Sequence, residues 1–302
     1  MELLEHLKQL GVEERLSVLI SKLADACADI SCVVEAGKMC DKAGTCNTFG
    51  EEQLALDVAS DRLISSVLDK CEDVAVYASE ELEEEVKTGH DAQDNFGVAY
   101  DPLDGSSLVN VNLAVGSIFG IYKCDSFIGK KGDDQECAMI AIYGPRTTIV
   151  CATKAGVHEY TFCDSKFNLT KENLQIEKEG KTFAPGNLRA CLYNPGYRNL
   201  FNYWLDNQYT LRYSGGMVPD INHILLKGKG LFTYPGYKDM PDGKLRLLYE
   251  CAPMAYIVEH AGGRATDGKI RLLEKAIESL SQRTPIFIGS ETEVMTAEEM
   301  LK

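Results

Sequence analysis

The chain has 302 residues, of which 45% are hydrophobic and 25% charged, and its formal net charge is -15. This composition is typical of a globular protein with a sizeable core, and the charge argues against nucleic acid or an anionic membrane as the main partner. No apolar run reaches the roughly 20 residues of a membrane-spanning helix, and the charged start lacks a secretory signal. We therefore expect a cytoplasmic protein, or a plastid protein whose transit peptide has been removed.

The first half of the chain is predicted to contain two helices followed by strands. Apolar side chains recur at helical spacing over residues 13–34 and again over 51–69. The pattern then changes to short β-branched and aromatic runs bounded by turn residues, which predicts strands at 74–79, 96–100, 116–122, 147–153 and 157–162. The polar segment 163–184 is predicted to link the two halves.

The second half mixes helices and strands. Helical spacing predicts helices at 199–207, 219–228 and 292–301, and apolar runs predict strands at 230–235 and 285–289. A longer helix is predicted over 247–263, where Pro253 should kink it or lie in its first turn. Together these elements predict a layered α/β fold of sheets covered by helices, in two halves, 1–184 and 185–302.

Acidic side chains cluster at the ends of the predicted elements: Asp57 on the second helix, Glu80 and Glu81 after strand 74–79, Asp101 and Asp104 after strand 96–100, and Glu250 on the long helix. Two carboxylates about 5 Å apart repel by roughly 3 kcal/mol at an effective dielectric constant of ~20. If these groups converge, they need a cation. Oxygen ligands without His or Cys suit Mg²⁺ or Mn²⁺.

The stretch YDPLDGSS, residues 100–107, places these acids beside a backbone suited to an anion. Gly105 permits close approach, and Ser106 and Ser107 add hydroxyl and N–H donors. Pattern alone leaves a solvated acidic turn open as the alternative. Cations and tyrosines that suit a second phosphate occur later in the chain: Arg212, Tyr213, Tyr234, Lys244 and Arg246.

With these residues in hand, the chain resembles the magnesium-dependent, lithium-sensitive sugar phosphatases. The matching motifs are SEE, DPLDGSS, VGSIFGIY, GGMVPD and GKLRLLYECAPMAYIVEHAGG, and the resemblance covers the chain from about residue 15. Within this family it is similar to the fructose-1,6-bisphosphatase and sedoheptulose-1,7-bisphosphatase branch. NTFGEEQLALD, YGPRTT, FAPGNLRA and YTLRYSGGMVPD favour the sedoheptulose members, whereas YNPGY and YECAPMAY fit the fructose members equally well.

The resemblance implies a five-layer αβαβα sandwich that forms a homo-oligomer, either a dimer or a tetramer. It also implies metal-dependent hydrolysis of the C1 phosphate of sedoheptulose 1,7-bisphosphate, with fructose 1,6-bisphosphate as a secondary substrate. The alternatives are a fructose-1,6-bisphosphatase proper, a monophosphatase of the inositol type, and an anion-binding protein without catalysis. The cations that suit a second phosphate argue against the monophosphatase.

The resemblance also implies individual roles. Two or more Mg²⁺ ions, or Mn²⁺, would be held by Glu80, Glu81, Asp101, Asp104, Glu250 and the Leu103 carbonyl, with Glu80 and Asp104 counted among the catalytic groups. Asp57 and Glu81 would orient and deprotonate the attacking water. The C1 phosphate would bind Gly105, Ser106, Ser107 and Arg246, and the sugar hydroxyls would face Gly215 and Met217. The distal phosphate would bind Asn194, Tyr197, Tyr213, Tyr234, Lys244 and Arg212, the last from a neighbouring subunit.

The chain has 11 cysteines, an odd number at irregular spacing, which favours reduced thiols over a disulfide framework. Cys40 and Cys46 lie together in a loop of small residues. They are either ordinary loop thiols or a redox-sensitive pair. The resemblance implies the redox pair, since plastid members of the sedoheptulose branch carry a regulatory dithiol here, at a spacing one residue shorter.

Overall fold

The computed structural model describes residues 1–36, 42–46, 52–90 and 94–302. Its first part contains three helices, α1 (Leu3–Gln9), α2 (Glu14–Ala36) and α3 (Ala55–Leu68). Between α2 and α3, strands β1 (Lys42–Cys46) and β2 (Glu52–Leu54) pair antiparallel, and only their backbone is described. Among the described residues, no helix is both long and apolar enough to span a bilayer.

The larger sheet has eight strands in the order β10-β9-β8-β7-β6-β5-β3-β4. Neighbouring strands run antiparallel except β3 and β5, which are parallel. The strands are β3 (Val74–Ser79), β4 (Val86–Lys87), β5 (Phe96–Asp104), β6 (Val115–Lys123), β7 (Gln135–Tyr143), β8 (Thr147–Thr153), β9 (Gly156–Cys163) and β10 (Lys166–Lys171).

The smaller sheet has five strands in the order β12-β11-β13-β15-β14. They are β11 (Thr182–Pro185), β12 (Thr210–Leu211), β13 (Leu231–Tyr234), β14 (Arg264–Thr266) and β15 (Ile286–Gly289). The helices of this part are α4 (Pro195–Asp206), α5 (Met217–Lys227), α6 (Ala252–His260) and α7 (Glu291–Met300).

The core consists of three hydrophobic clusters, and two of them lie on opposite faces of the larger sheet because side chains alternate along its strands. On β6, Ile118 packs with α5 and α6, while its neighbour Phe119 packs on the other side of the sheet with α1, α2 and α3. A third cluster joins Trp204 of α4 and Val294 of α7 to Phe287 on the smaller sheet. The layers are therefore helix, sheet, helix, sheet, helix, and the predicted five-layer mixed fold is confirmed.

Several elements differ from the prediction. Helix α3 begins at Ala55, because residues 52–54 form β2. Strand β7 was not among the predicted strands, and β10 lies inside the polar segment predicted to be a link. Pro253 lies in the first turn of α6, as one of the two expected placements, and a π-helical turn precedes it. The division of the chain at residue 184 stays a prediction.

The nine cysteines whose side chains are described are all free thiols, and five of them are buried. This agrees with the expectation of reduced cysteines. The predicted redox pair lies outside the described residues, since Cys40 falls in the gap 37–41 and only the backbone of Cys46 is described.

Candidate active site

A bulge at the end of β5 turns two aspartates to the same side of the sheet. Asp101 pairs with Ile118 of β6 and Asp104 pairs with Gly116, so three steps on β5 match two steps on β6. In a regular strand, residues three apart would point to opposite faces. Pro102 lies within the irregular stretch, where the missing backbone N–H costs no ladder hydrogen bond. The bulge therefore brings both carboxylates to one site.

The N-terminus of α5 fixes the second of these carboxylates. The Val218 N–H donates to Asp104 Oδ2 at 2.8 Å, so the aspartate occupies the positive end of the helix. This contact requires α5 to lie close to β6 at Gly116. A Cβ at Gly116 would lie 2.5 Å from Val218 Cγ1 and 2.2 Å from the Ala141 carbonyl oxygen. Gly116 is therefore needed for the geometry of Asp104.

The third buried carboxylate comes from the π-helical turn, Leu247–Cys251. In this turn the Cys251 N–H donates to the Arg246 carbonyl five residues earlier, at 3.0 Å. The Glu250 carboxylate accepts a hydrogen bond from the Arg246 backbone N–H. Carboxylate oxygens of Asp101, Asp104 and Glu250 all lie within 4.8 Å of one another. Chain segments far apart in sequence thus build one acidic cluster.

Burial and mutual repulsion disfavour the charged form of this cluster. Burial, with a further contribution from the Glu80 charge, raises the pKa of Asp101 and of Glu250 well above their usual range. Burial also raises the pKa of Asp104 to about 6, although the Val218 N–H opposes the shift. Carboxylates held together in this way need protons or a cation. Because the donors are oxygens alone, the residues fit a hard divalent ion such as Mg²⁺ or Mn²⁺.

Arg246 supplies a buried positive charge beside the acidic cluster. Its side chain is 1% exposed, and its Nε lies 3.7 Å from Glu80 Oε1. Glu80 follows β3 directly, and its own backbone N–H donates to the Tyr100 carbonyl on the parallel strand β5 at 3.1 Å. The guanidinium therefore offsets part of the negative charge and ties β3 to the π-helical turn.

A cavity of about 460 Å³ opens over the acidic cluster. Most predicted site residues line it, namely Asp57, Glu80, Glu81, Asp101, Leu103, Asp104, Gly105, Ser106, Ser107, Tyr213, Gly215, Met217, Tyr234, Lys244 and Glu250. Gly105 has a φ of 79°, a left-handed conformation that suits glycine, and it starts a 3₁₀ turn over 106–111. The volume lies within the range of small-ligand sites. The cavity thus joins an acidic wall to a wall of N–H, hydroxyl and ammonium donors.

Four predicted residues do not line this cavity. Asn194 caps α4 by accepting from the Tyr197 N–H at 3.1 Å. Tyr197 is fully buried, and its hydroxyl bonds to the Gly186 carbonyl and to Thr233. The prediction that these two hold the distal phosphate is therefore not supported by their placement. Arg212 is exposed, so a contact with a neighbouring subunit stays a prediction, and Arg246 is buried beside Glu80.

Sequence reasoning missed some residues that shape the site. Phe232 and Leu245 also line the cavity. The signal for Phe232 was its position two residues before Tyr234 on one strand, since residues i and i+2 share a face. Asp61 was also missed, and it accepts hydrogen bonds from Ser79 Oγ at 2.6 Å and from the Tyr100 hydroxyl at 2.9 Å. Its position one turn after Asp57 on α3 was the available signal.

Ser79 connects Asp61 to the acidic turn, and its removal has a defined expected cost. Besides donating to Asp61, Ser79 Oγ accepts the Glu81 N–H at 3.2 Å. Ser79→Ala leaves the largely buried Asp61 with one donor fewer, so we expect a loss of about 1–3 kcal/mol in the free energy of unfolding. Urea denaturation measures this, with Ser66→Ala, at an exposed position of α3, as the control. Equal midpoints for Ser79→Ala and wild type would contradict the expectation.

Without divalent ions, the protein is expected to become more stable as the pH falls from about 7 to about 5. Asp104 has its folded pKa raised to about 6, compared with about 3.9 in an unfolded chain. The folded chain therefore binds this proton more tightly. The resulting stability, about 3 kcal/mol, is fully present below the unfolded pKa and is lost as the pH rises through about 6. Denaturant titrations in a chelator check this, and stability that falls on acidification over this range would contradict it.

Comparison with protein families gives two matches that together cover nearly the whole chain. A model described as "Fructose-1-6-bisphosphatase, N-terminal domain" matches residues 2–172. A second model, described as "Fructose-1-6-bisphosphatase, C-terminal domain", matches residues 176–302. The first ends just after β10, and the second begins before β11.

Individual relatives carry two different names. A protein of Geotalea uraniireducens named fructose-1,6-bisphosphatase class 1 is 46% identical over 300 residues, which are 99% of this chain and 95% of that relative. A chloroplastic protein of Triticum aestivum named sedoheptulose-1,7-bisphosphatase is 44% identical over 265 residues, 87% of this chain and 67% of that relative. A crystal structure of Leishmania major fructose-1,6-bisphosphatase in its holo form has a TM-score of 0.94 and 31% identity, covering 99% of this chain and 98% of that one.

Proposed function

Since this chain belongs to the class 1 fructose-1,6-bisphosphatase family, we propose that it is a sugar bisphosphatase that hydrolyses the C1 phosphate ester of fructose 1,6-bisphosphate. The observation that carries the proposal is the cavity in which Asp101, Asp104 and Glu250 face a lining of phosphate-binding groups. The preference for sedoheptulose 1,7-bisphosphate predicted from the sequence is less well supported, because the Geotalea relative named for the fructose enzyme matches 99% of this chain and the wheat relative named for the sedoheptulose enzyme matches 87%.

The C1 phosphate binds next to the acidic cluster in this proposal. Gly105, Ser106 and Ser107 follow Asp104 directly, and they line the cavity at the start of the 3₁₀ turn. Their N–H groups and hydroxyls are donors for phosphate oxygens. Met217, at the start of α5, lines the same cavity and adds the positive end of that helix. The scissile ester is thereby held against the carboxylates.

The second phosphate binds to a separate set of donors that line the same cavity. Lys244 provides the positive charge there, and Tyr213 and Tyr234 provide hydroxyl donors. Tyr234 stands on β13 beside Phe232, and Lys244 immediately precedes Leu245, so both polar groups are bordered by apolar side chains of the same cavity. Two phosphates held by these two sets of donors would fix the sugar between them and orient its C1 ester toward the acidic cluster.

The acidic side would hold two or more Mg²⁺ ions, through Glu80, Glu81, Asp101, Asp104, Glu250 and the Leu103 carbonyl. Bound there, divalent ions stabilise negative charge on the phosphoryl group and lower the pKa of water. Asp57 and Glu81 line the same cavity, and their carboxylates orient the attacking water and accept its proton. The Glu81 backbone is held by Ser79, which keeps its position fixed relative to the acidic cluster.

Replacing Lys244 tests the proposed site for the second phosphate. Loss of one charged hydrogen bond to phosphate is worth about 1.5–3 kcal/mol, so Lys244→Met is expected to lower kcat/KM for the bisphosphate roughly 10- to 100-fold. Most of the effect should appear in KM. The half-exposed Lys229, which pairs with Glu177, supplies the matched control Lys229→Met. Equal kcat/KM values for the two variants would contradict the assignment.

The test of the whole proposal is phosphate release from purified protein in Mg²⁺, measured with fructose 1,6-bisphosphate and sedoheptulose 1,7-bisphosphate in parallel. We expect release from the first, with the higher kcat/KM. Sedoheptulose 1,7-bisphosphate is the second candidate, favoured by the 44% identity to the wheat protein. A higher kcat/KM for that compound would reverse the order, and tight sugar-phosphate binding without release at any Mg²⁺ concentration would favour the non-catalytic alternative.

A further inference from the structure

Three side chains that can bind a metal meet at the edge of the larger sheet, apart from the cavity. His6 stands on α1, His158 on β9, and Glu172 just after β10. One nitrogen of each ring and one carboxylate oxygen lie within 4.8 Å of one another. We call this group the N-terminal histidine cluster. His6 and His158 are 3% and 1% exposed, whereas the Glu172 side chain is 55% exposed, so the cluster is buried on one side and open to solvent on the other.

The surroundings of His6 leave its outer nitrogen available as a ligand. Its Nδ1 lies 2.8 Å from the Tyr160 hydroxyl, which can accept the Nδ1 hydrogen and so orient the ring. With the hydrogen on Nδ1, the lone pair of Nε2 faces Glu172 Oε1 at 3.6 Å. Ligands about 2.0–2.1 Å from a tetrahedral Zn²⁺ lie roughly 3.3 Å apart. The two atoms therefore already have nearly the separation of two ligands on one ion.

His158 contributes a buried nitrogen for which the described residues offer no hydrogen-bond partner. This atom is Nε2, on a ring that the His6 ring meets edge-on at a centroid distance of 4.9 Å. An unsatisfied buried polar atom is costly, and a cation would satisfy it.

Ligation through His158 Nε2 places the ring hydrogen on Nδ1. That atom now receives the Asn173 N–H at 3.3 Å, a long contact that would be given up. Asn173 is the neighbour of Glu172, so one small shift of the segment after β10 would release this contact and bring the carboxylate inward. The three ligand atoms now lie within 4.8 Å of one another, whereas tetrahedral ligands lie roughly 3.3 Å apart. The distance between any two of them therefore has to shorten by about 1.5 Å at most.

We propose that His6, His158 and Glu172 bind one Zn²⁺ ion, with water as the fourth ligand. Two imidazoles and a carboxylate suit Zn²⁺ better than Mg²⁺, which prefers oxygen ligands alone. The ion ties α1 to the sheet. Helix α1 is otherwise joined to β10 at its start, where the Leu169 N–H donates to the Met1 carbonyl and Lys166 pairs with Glu2. The site is structural and lies outside the catalytic cavity.

The test uses the full-length chain carrying Asp101→Asn and Asp104→Asn, which weaken competing metal binding in the cavity. Chelator-stripped protein is incubated with Zn²⁺ and desalted, and its metal content is measured. We expect one equivalent of zinc, with X-ray absorption showing two imidazole ligands. Adding His158→Gln should remove this equivalent, whereas the control His90→Gln should retain it. Zinc missing from the background protein, or bound with oxygen ligands alone, would overturn the proposal.

The exposed Glu172 provides a variant that keeps the test valid if His158→Gln does not fold. Glu172→Gln is expected to weaken Zn²⁺ binding at least about tenfold, in the range seen when a metal site loses a supporting group. Hydrogen exchange gives an independent readout: Zn²⁺ should slow exchange of the α1 amides in the background protein and have little effect in Glu172→Gln. Equal zinc affinity with and without the Glu172 carboxylate, or α1 exchange that ignores Zn²⁺, would contradict the proposed site.

Discussion

Asp104→Asn is expected to abolish phosphate release and, in a chelator, to make the protein harder to unfold. Under the proposed function Asp104 is a metal ligand, and losing about 4 kcal/mol of transition-state stabilisation corresponds to a rate loss of roughly 10³-fold. The opposite effect on stability follows from burial, which raises the pKa of Asp104 to about 6. Asparagine removes that charge while its carbonyl can still accept the Val218 N–H, so a gain of about 1–3 kcal/mol is expected.

Two measurements on the same preparations check this pair of outcomes. Phosphate release in Mg²⁺ reports the catalytic loss, and denaturant unfolding in a chelator reports the gain in stability. Asp125→Asn, at an exposed position, is the matched control and should change neither quantity. Retained activity in Asp104→Asn would reject the metal-ligand role. A variant less stable than wild type in the chelator would instead reject the electrostatic account of the cluster.

Arg246→Met is expected to destabilise the protein and to lower its activity together. The arginine is 1% exposed, and its guanidinium lies beside Glu80 while its backbone N–H binds the Glu250 carboxylate. Methionine fills the space of the stem but removes the buried positive charge. Breaking a buried ion pair from one side costs about 3–5 kcal/mol, so we expect a loss of roughly 3 kcal/mol in the free energy of unfolding.

Two further variants show whether the effect of Arg246→Met comes from the lost charge or from changed packing. Arg246→Lys keeps the charge and should recover part of the stability, although it loses the fork geometry of the guanidinium. Arg189→Met, at an exposed position in a 3₁₀ turn, is the control. Divalent ions should reduce the penalty of Arg246→Met, because they neutralise the same carboxylates. An unchanged denaturation midpoint for Arg246→Met would contradict the proposed balance of charge.

Much of the fold could be predicted because its elements bury one face each. The period of 3.6 in α2 and the apolar runs of β3, β6 and β8 follow directly from packing against the sheet or the helices. Strand β10 could not be found in this way, since it lies at the edge of the sheet and only Phe167 of its sequence KFNLTK is buried. Its backbone pairs with β9, which no hydrophobic pattern reports.

The site was predictable in its chemistry and less so in its geometry. The acidic residues at strand ends and the YDPLDGSS stretch predicted which residues form the cluster. The bulge that aligns Asp101 with Asp104 depends on pairing with β6, a long-range register that a local pattern does not contain. The same limit applies to Asn194 and Tyr197, since polar side chains near a site also serve as helix caps and core hydrogen bonds.

The motifs could not predict which of the two ketose bisphosphates is preferred, and the reason is physical. Under the proposed function, both substrates would present the same C1 phosphate to the acidic cluster, so the residues around Asp104 would not distinguish them. Discrimination would have to come from the groups proposed for the second phosphate, Tyr213, Tyr234 and Lys244, which line the same cavity. Tyrosine and lysine donors can bind a phosphate on either a six- or a seven-carbon chain, and the length of the cavity between the two sets of donors would then decide.

The position of the Glu250 carboxylate depends on the one extra residue that the π-helical turn contains. A π turn holds one residue more than the α-helix that would replace it. Deleting one residue within Leu247–Tyr249 would allow a regular helix and would rotate Glu250 by about 100° relative to Arg246. Such a deletion would preserve every catalytic side chain and most of the core. Within a lineage, this turn is therefore a place where one lost codon could turn the enzyme into a folded but inactive homologue.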